Sequence, residues 1–261
     1  LVGILAGLVI VGYRICLTNG ALWLQRILAY CKQSIFTIII WFVILFVIAL
    51  VVTKLLDWES LISGSGIPQL EGELAGKIDA KWWRVLIAKF FGGFLANFSG
   101  LALGREGPSI QLGAMVGKGI GKVLKRGKTE ERYLLTCGAS AGLAAAFHAP
   151  LAGVMFALEE VHKHFSAPLL ISVMTSSIAA DYLMSSILGM APVFSFNIHG
   201  TLPTQYYWMV IILGIILGLL GAFYNKALLF VQSLYNHSKH LNNYTKLLIP
   251  FILAGILGFT V

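Results

Sequence analysis

Seven apolar stretches, at about 1–16, 36–53, 85–104, 134–158, 169–190, 207–231 and 247–261, dominate this chain. A run of about 20 apolar residues crosses the hydrocarbon core of a bilayer as a helix. The period-2 alternation that barrel strands require is missing, so the stretches predict an all-α, polytopic membrane protein. Several are short or interrupted by Gly and Pro, which predicts tilted, broken or re-entrant helices. Composition agrees. Hydrophobic residues make up 58% and charged residues 11%, less than half of the roughly 25% in a soluble domain. Mean hydropathy is +0.85.

The net charge is +8. In a membrane protein this excess belongs to short cytosolic loops, and it gives no reason to invoke a nucleic-acid partner. The most polar connection of the first half, KVLKRGKTEERY at 122–133, is therefore placed in the cytosol. Cys16, Cys31 and Cys137 show neither a disulfide framework nor metal-ligand spacing, and no cofactor loop is visible. Gly113, Gly117 and Gly121 recur every four residues, as do Gly138 and Gly142. Such spacing lets membrane helices approach closely. GASAG at 138–142 has the form of a nucleophile elbow, but that elbow needs a strand-to-helix turn. Inside an Ala- and Gly-rich helix it reads as packing, and no enzyme is expected.

Two segments share one grammar. In SGSGIPQLEG, 63–72, Gly64, Ser65, Gly66 and Ile67 lead to Pro68 at the expected first position of a helix. In GREGP, Gly104, Arg105, Glu106 and Gly107 lead to Pro108 just inside another. Helix N-termini present free N–H groups and a favourable dipole to anions. Transporters aim broken helices at an anionic substrate near mid-membrane. Ser65 would add a hydroxyl donor. Each segment alone is also compatible with an ordinary capped helix. Glu106 is the harder residue to explain, because an ionisable group within the membrane is costly and marks function. Ionised, its carboxylate can occupy an anion site as a tethered anion. Protonated, it leaves and a free anion enters. Arg105 either offsets that charge or snorkels to the interface.

A third segment, GLAAAFHAPLAGVMFALEEVHKHF at 142–165, is broken at Pro150 and ends in Glu159 and Glu160. The two glutamates are either an interfacial charge pair or a split pair, one facing the interior. His162 and His164 are either a proton relay or solvated juxtamembrane residues.

These three segments, in this order and spacing, resemble the CLC family of chloride channels and proton-coupled chloride transporters. The resemblance implies a homodimer in a cell membrane, with an anion pathway in each subunit, built from two inverted repeats. It matches Ser65 to the serine that coordinates the central anion, Glu106 to the gating glutamate and Glu160 to the internal proton-transfer glutamate. Chloride and protons are the implied transported ions, and the serine favours chloride over nitrate. Glu160 tilts the expectation toward chloride/proton antiport over a passive channel of the same family; a non-transporting scaffold is the alternative from another class. The first repeat is expected over about 1–195 and the start of the second over about 205–261, in a single transmembrane domain. The family's Gly-x-Phe-x-Pro loop and its site tyrosine do not occur in these residues, so the chain is expected to be part of a longer protein. The lack of long polar loops suggests a prokaryotic plasma membrane.

Overall fold

The computed structural model describes residues 1–189, 200, 203–237 and 242–260. They are helical, as expected: α1 (Val2–Cys31), α2 (Ile35–Trp58), α3 (Ile67–Leu74), α4 (Trp82–Phe98), α5 (Glu106–Val123), α6 (Lys128–Phe147), α7 (Pro150–Phe156), α8 (Ala167–Leu188), α9 (Tyr207–His237) and α10 (Asn243–Thr260). A π-helical segment, Ala157–His162, continues α7. Among the described residues, four helical stretches are long and apolar enough to span a bilayer: α1, α2, α8 and Thr204–Tyr235. The protein is a multi-pass membrane protein.

The chain forms two compact units, Leu1–Val193 with Leu247–Val261, and Phe194–Lys246. The second contains α9 and the short turn Thr204–Tyr206 before it. The first contains every residue of the three segments singled out above.

Within the first unit, α5 and α6 pack most closely, and α8 and α1 lie against α6. The glycine spacing explains the α5–α6 contact. A Cβ on Gly113 would run into the Gly138 backbone, one on Gly117 into Leu134, and one on Gly142 into Ser109. Ser140, inside the rejected elbow motif, hydrogen-bonds Ser177 of α8 across the α6–α8 interface. Ser34 caps α2 by accepting from the Phe36 N–H at 3.3 Å, and Ser166 caps α8 by accepting from the Leu169 N–H at 3.4 Å.

Several expected boundaries move. The first span does not stop near Cys16 but runs to Cys31. Asn19, Gln25 and Arg26 do not end it, because isolated polar side chains leave the backbone hydrogen bonds of a helix intact. The span expected over 85–104 ends as a helix at Phe98, and Gly100 at φ 89° begins an irregular link to Glu106. The polar connection 122–133 is mostly helical, with only 124–127 outside α5 and α6. The break at Pro150 is present: His148 closes α6 at φ 54°, and Pro150 starts α7.

Candidate anion site

The two Gly/Pro segments meet. A Cβ on Gly107 would lie 2.6 Å from the Ser65 carbonyl oxygen and 2.9 Å from the Ser65 Cβ. Only glycine at 107 lets the N-terminus of α5 come this close to the N-terminus of α3. Gly66 at φ 92° forms the left-handed turn that opens α3, and it packs against the Gln111 side chain of α5. Gln111 Nε2 donates to the Leu61 carbonyl at 2.8 Å. Lys89 of α4 is buried and donates to the Ile62 carbonyl at 2.8 Å and the Gly64 carbonyl at 2.7 Å. The loop before α3 is thus held from two helices. Sequence reasoning did not pick out Lys89; a lone lysine in an apolar stretch was the available signal.

Ser65 Oγ accepts from the Ile67 N–H at 3.3 Å. That bond uses a lone pair and leaves the hydroxyl proton available to an anion. Ser65 and Gly64 are exposed, Gly66 is buried, Ile67 is half-buried and Pro68 is exposed. Helix α3 begins at Ile67, so Pro68 is its second residue and not its first. Both positions leave a free N–H in the first turn, and the missing proline N–H costs nothing at either.

Glu106 is the first residue of α5, with Arg105 before it. Pro108 is therefore third. The Glu106 carboxylate folds back: a Cβ on Gly104 would lie 2.5 Å from Oε2. Gly104 makes room for the carboxylate in that position. Gly104 is exposed, and Arg105, Glu106, Gly107 and Pro108 are half-buried. Arg105 lies near enough to Arg14 of α1 for mutual repulsion.

Glu160 is elsewhere. It sits with Glu159 in the π segment, and both side chains are exposed. The sequence reading assumed an α-helix here; π hydrogen bonding, i to i+5, changes which neighbours the pair faces. The adjoining Lys163 ties this segment to α3 through Glu71 at 3.2 Å. His162 Nδ1 is 2.9 Å from Thr136 Oγ1. The His162 ring is 5.7 Å from Tyr133 and 6.4 Å from His164. Burial, with His164 and Arg132 nearby, pushes the His162 imidazole below its ordinary pKa.

Two helix N-termini that meet at Ser65 and Gly107, one of them carrying a folded-back carboxylate, form the arrangement on which comparison with known proteins bears. A sequence profile described as voltage gated chloride channel matches residues 45–261. The chain belongs to the voltage-gated chloride channel family. Two relatives are the H(+)/Cl(-) exchange transporters ClcA of Vibrio parahaemolyticus serotype O3:K6 and Vibrio campbellii. Each is 38% identical over 200 residues, which cover 75% of this chain and 43% and 42% of those proteins. This family member therefore spans under half the length of the curated relatives it matches. A solved structure of a slow cyanobacterial Cl-/H+ antiporter superposes with a TM-score of 0.88 at 32% identity, over 99% of this chain and 61% of that one. A CLC-type fluoride/proton antiporter gives 0.76 at 21% identity, over 98% of this chain and 62% of that one, and shares the fold.

Proposed function

We propose that this family member carries chloride across a cell membrane in exchange for protons, with Ser65 in the anion site and Glu106 as its gate. The observation that carries this reading is the Gly107–Ser65 contact. It puts the tethered carboxylate and the hydroxyl donor on two adjoining helix N-termini. Gly64, Gly66, Ile67, Gly104, Arg105, Gly107 and Pro108 shape and line that site, and Pro68 fixes the start of α3. The relatives whose names record proton/chloride exchange support the choice of ions.

The mechanism follows from charge. An ionised Glu106 and a chloride ion compete for the same positive end of α5. Protonation neutralises the carboxylate, removes its attraction to the helix N-terminus and lets chloride take its place. The ionised carboxylate and chloride thereby exclude one another, and one residue couples anion and proton occupancy. Glu160, exposed within the π segment, is the proton's second station, on the cytosolic side. The protein acts as a homodimer embedded in lipid, with an anion pathway in each subunit. Residues 1–195 form the first of two inverted repeats, and 205 onward opens the second.

The test is proton movement driven by a chloride gradient, in liposomes containing the full-length polypeptide. Glu160→Gln stops the proton flux and spares the chloride flux. Intact proton pumping in that variant would make Glu160 an interfacial charge only.

A further inference from the structure

Lys118 of α5 is fully buried, and its ammonium meets three oxygens. It donates to Glu73 Oε1 of α3, to Asp79 Oδ1 at 2.7 Å and to the Ala80 carbonyl at 2.7 Å. An ammonium has three protons, so the group is completely matched. The other Glu73 oxygen, Oε2, accepts from the Ala80 N–H at 2.7 Å. The Glu73 side chain is 8% exposed and that of Asp79 is 82% exposed. The buried pair is therefore Lys118–Glu73, with Asp79 a solvated third member.

A buried ion pair is a poor source of stability, because desolvation offsets the Coulomb attraction; apolar side chains of similar size hold a fold as well. What the pair does supply is a fixed geometry. Helix α3 has only eight residues and cannot hold its own orientation. At its start it meets α5 through Ser65 and Gly107 and through Gly66 and Gln111, and its buried Leu70 shares an apolar cluster with Ile110, Ala114 and Met115 of α5. The Lys118–Glu73 pair is the polar, directional contact at the other end of α3, 12 residues or about 18 Å further along α5 than Glu106. Contacts at both ends of α3 fix the angle between the two helices.

We propose that the Lys118–Glu73 pair is a positioning device for the anion site: it sets the angle between α3 and α5, and so the spacing of Ser65 from the Glu106 carboxylate. This rests on the reading of Ser65 and Glu106 given above. Lys118 touches no transported ion. Its effect is on which anions the site accepts.

The experiment uses the full-length polypeptide in liposomes and compares chloride with nitrate flux, alongside thermal unfolding of the same preparations. The double variant Lys118→Met/Glu73→Gln removes both charges and keeps an acceptor for the Ala80 N–H. It is expected to unfold near the temperature of the unaltered protein and yet to shift the chloride-to-nitrate ratio severalfold, because sub-ångström misplacement of a binding group is felt strongly at a preorganised site. Lys118→Arg keeps the pair and is expected to keep the ratio closer to that of the unaltered protein. A double variant of normal stability with an unchanged ratio would overturn the proposal, and so would Lys118→Arg shifting the ratio as far as the neutral pair does. Chloride transport by the unaltered protein is the control that separates failure of the anion-site reading from failure of this one.

Discussion

At the scale of single residues, the proposed exchange accounts for the position of Glu106 where helix stability does not. A carboxylate in the first turn of a helix gains under about 1 kcal/mol from the dipole, less than the several kcal/mol that a charge at membrane depth costs. Glu106→Gln places a neutral side chain of the same shape at the start of α5. We expect it to abolish proton coupling while anion flux persists, read as chloride efflux without a pH change. His162 gives a second expectation at this scale. Its pKa is lowered in the folded protein, first by burial and then by His164 and Arg132. The unfolded chain therefore takes up the proton first as pH falls. The stability that His162 contributes is present above its ordinary value of about 6.5 and is lost as pH falls through the lower folded value. Unfolding temperature should decline over that window, and His162→Gln should flatten the decline. The placement of Ser65 and Glu106 at helix N-termini was legible in the sequence because Gly and Pro mark loop-to-helix junctions locally. Lys89 and Lys118 were not. Their acceptors lie 25 to 45 residues away, and nothing local to a lysine records a distant carbonyl.

At the scale of elements, the site depends on short helices held from outside. The loop before α3 is fixed by Lys89 through the carbonyls of Ile62 and Gly64. Lys89→Met should cost about 1.5–3 kcal/mol for each charge-assisted bond that water does not replace. It should also weaken anion binding at Ser65, which calorimetric titration with chloride would register. The α5–α6 interface is fixed by backbone proximity at Gly113, Gly138 and Gly142. A valine at 113 has no space there, and overpacking of this kind costs roughly 1–3 kcal/mol. Gly113→Val should lower the unfolding temperature measurably, and Gly214→Val, at a glycine with nothing near its would-be Cβ, should leave it almost unchanged. Glycine periodicity made this packing readable in advance. The π segment was not readable, because one extra residue per turn leaves the apolar pattern of ALEEVH compatible with either helix. The extension of α1 to Cys31 was missed for a related reason: hydropathy marks where a helix leaves lipid, and not where it ends.

At the scale of the whole molecule, the apolar stretches gave the all-α membrane class directly, and the ordered Gly/Pro segments pointed to the family that the profile match then established. The convergence of α3 and α5 could not be read from the chain, since it depends on α4 and α5 holding a loop against a neighbouring helix. The central claim is that a single carboxylate, by yielding its place to chloride when protonated, couples chloride and proton occupancy. The most direct measurement loads liposomes containing the full-length polypeptide with chloride, imposes an outward chloride gradient, and records external pH with a protonophore control. The account predicts proton uptake against the proton gradient in the unaltered protein and none with Glu106→Gln, while chloride leaves the vesicles in both. Chloride efflux without proton movement in the unaltered protein would contradict it, and so would uphill proton movement that survives Glu106→Gln.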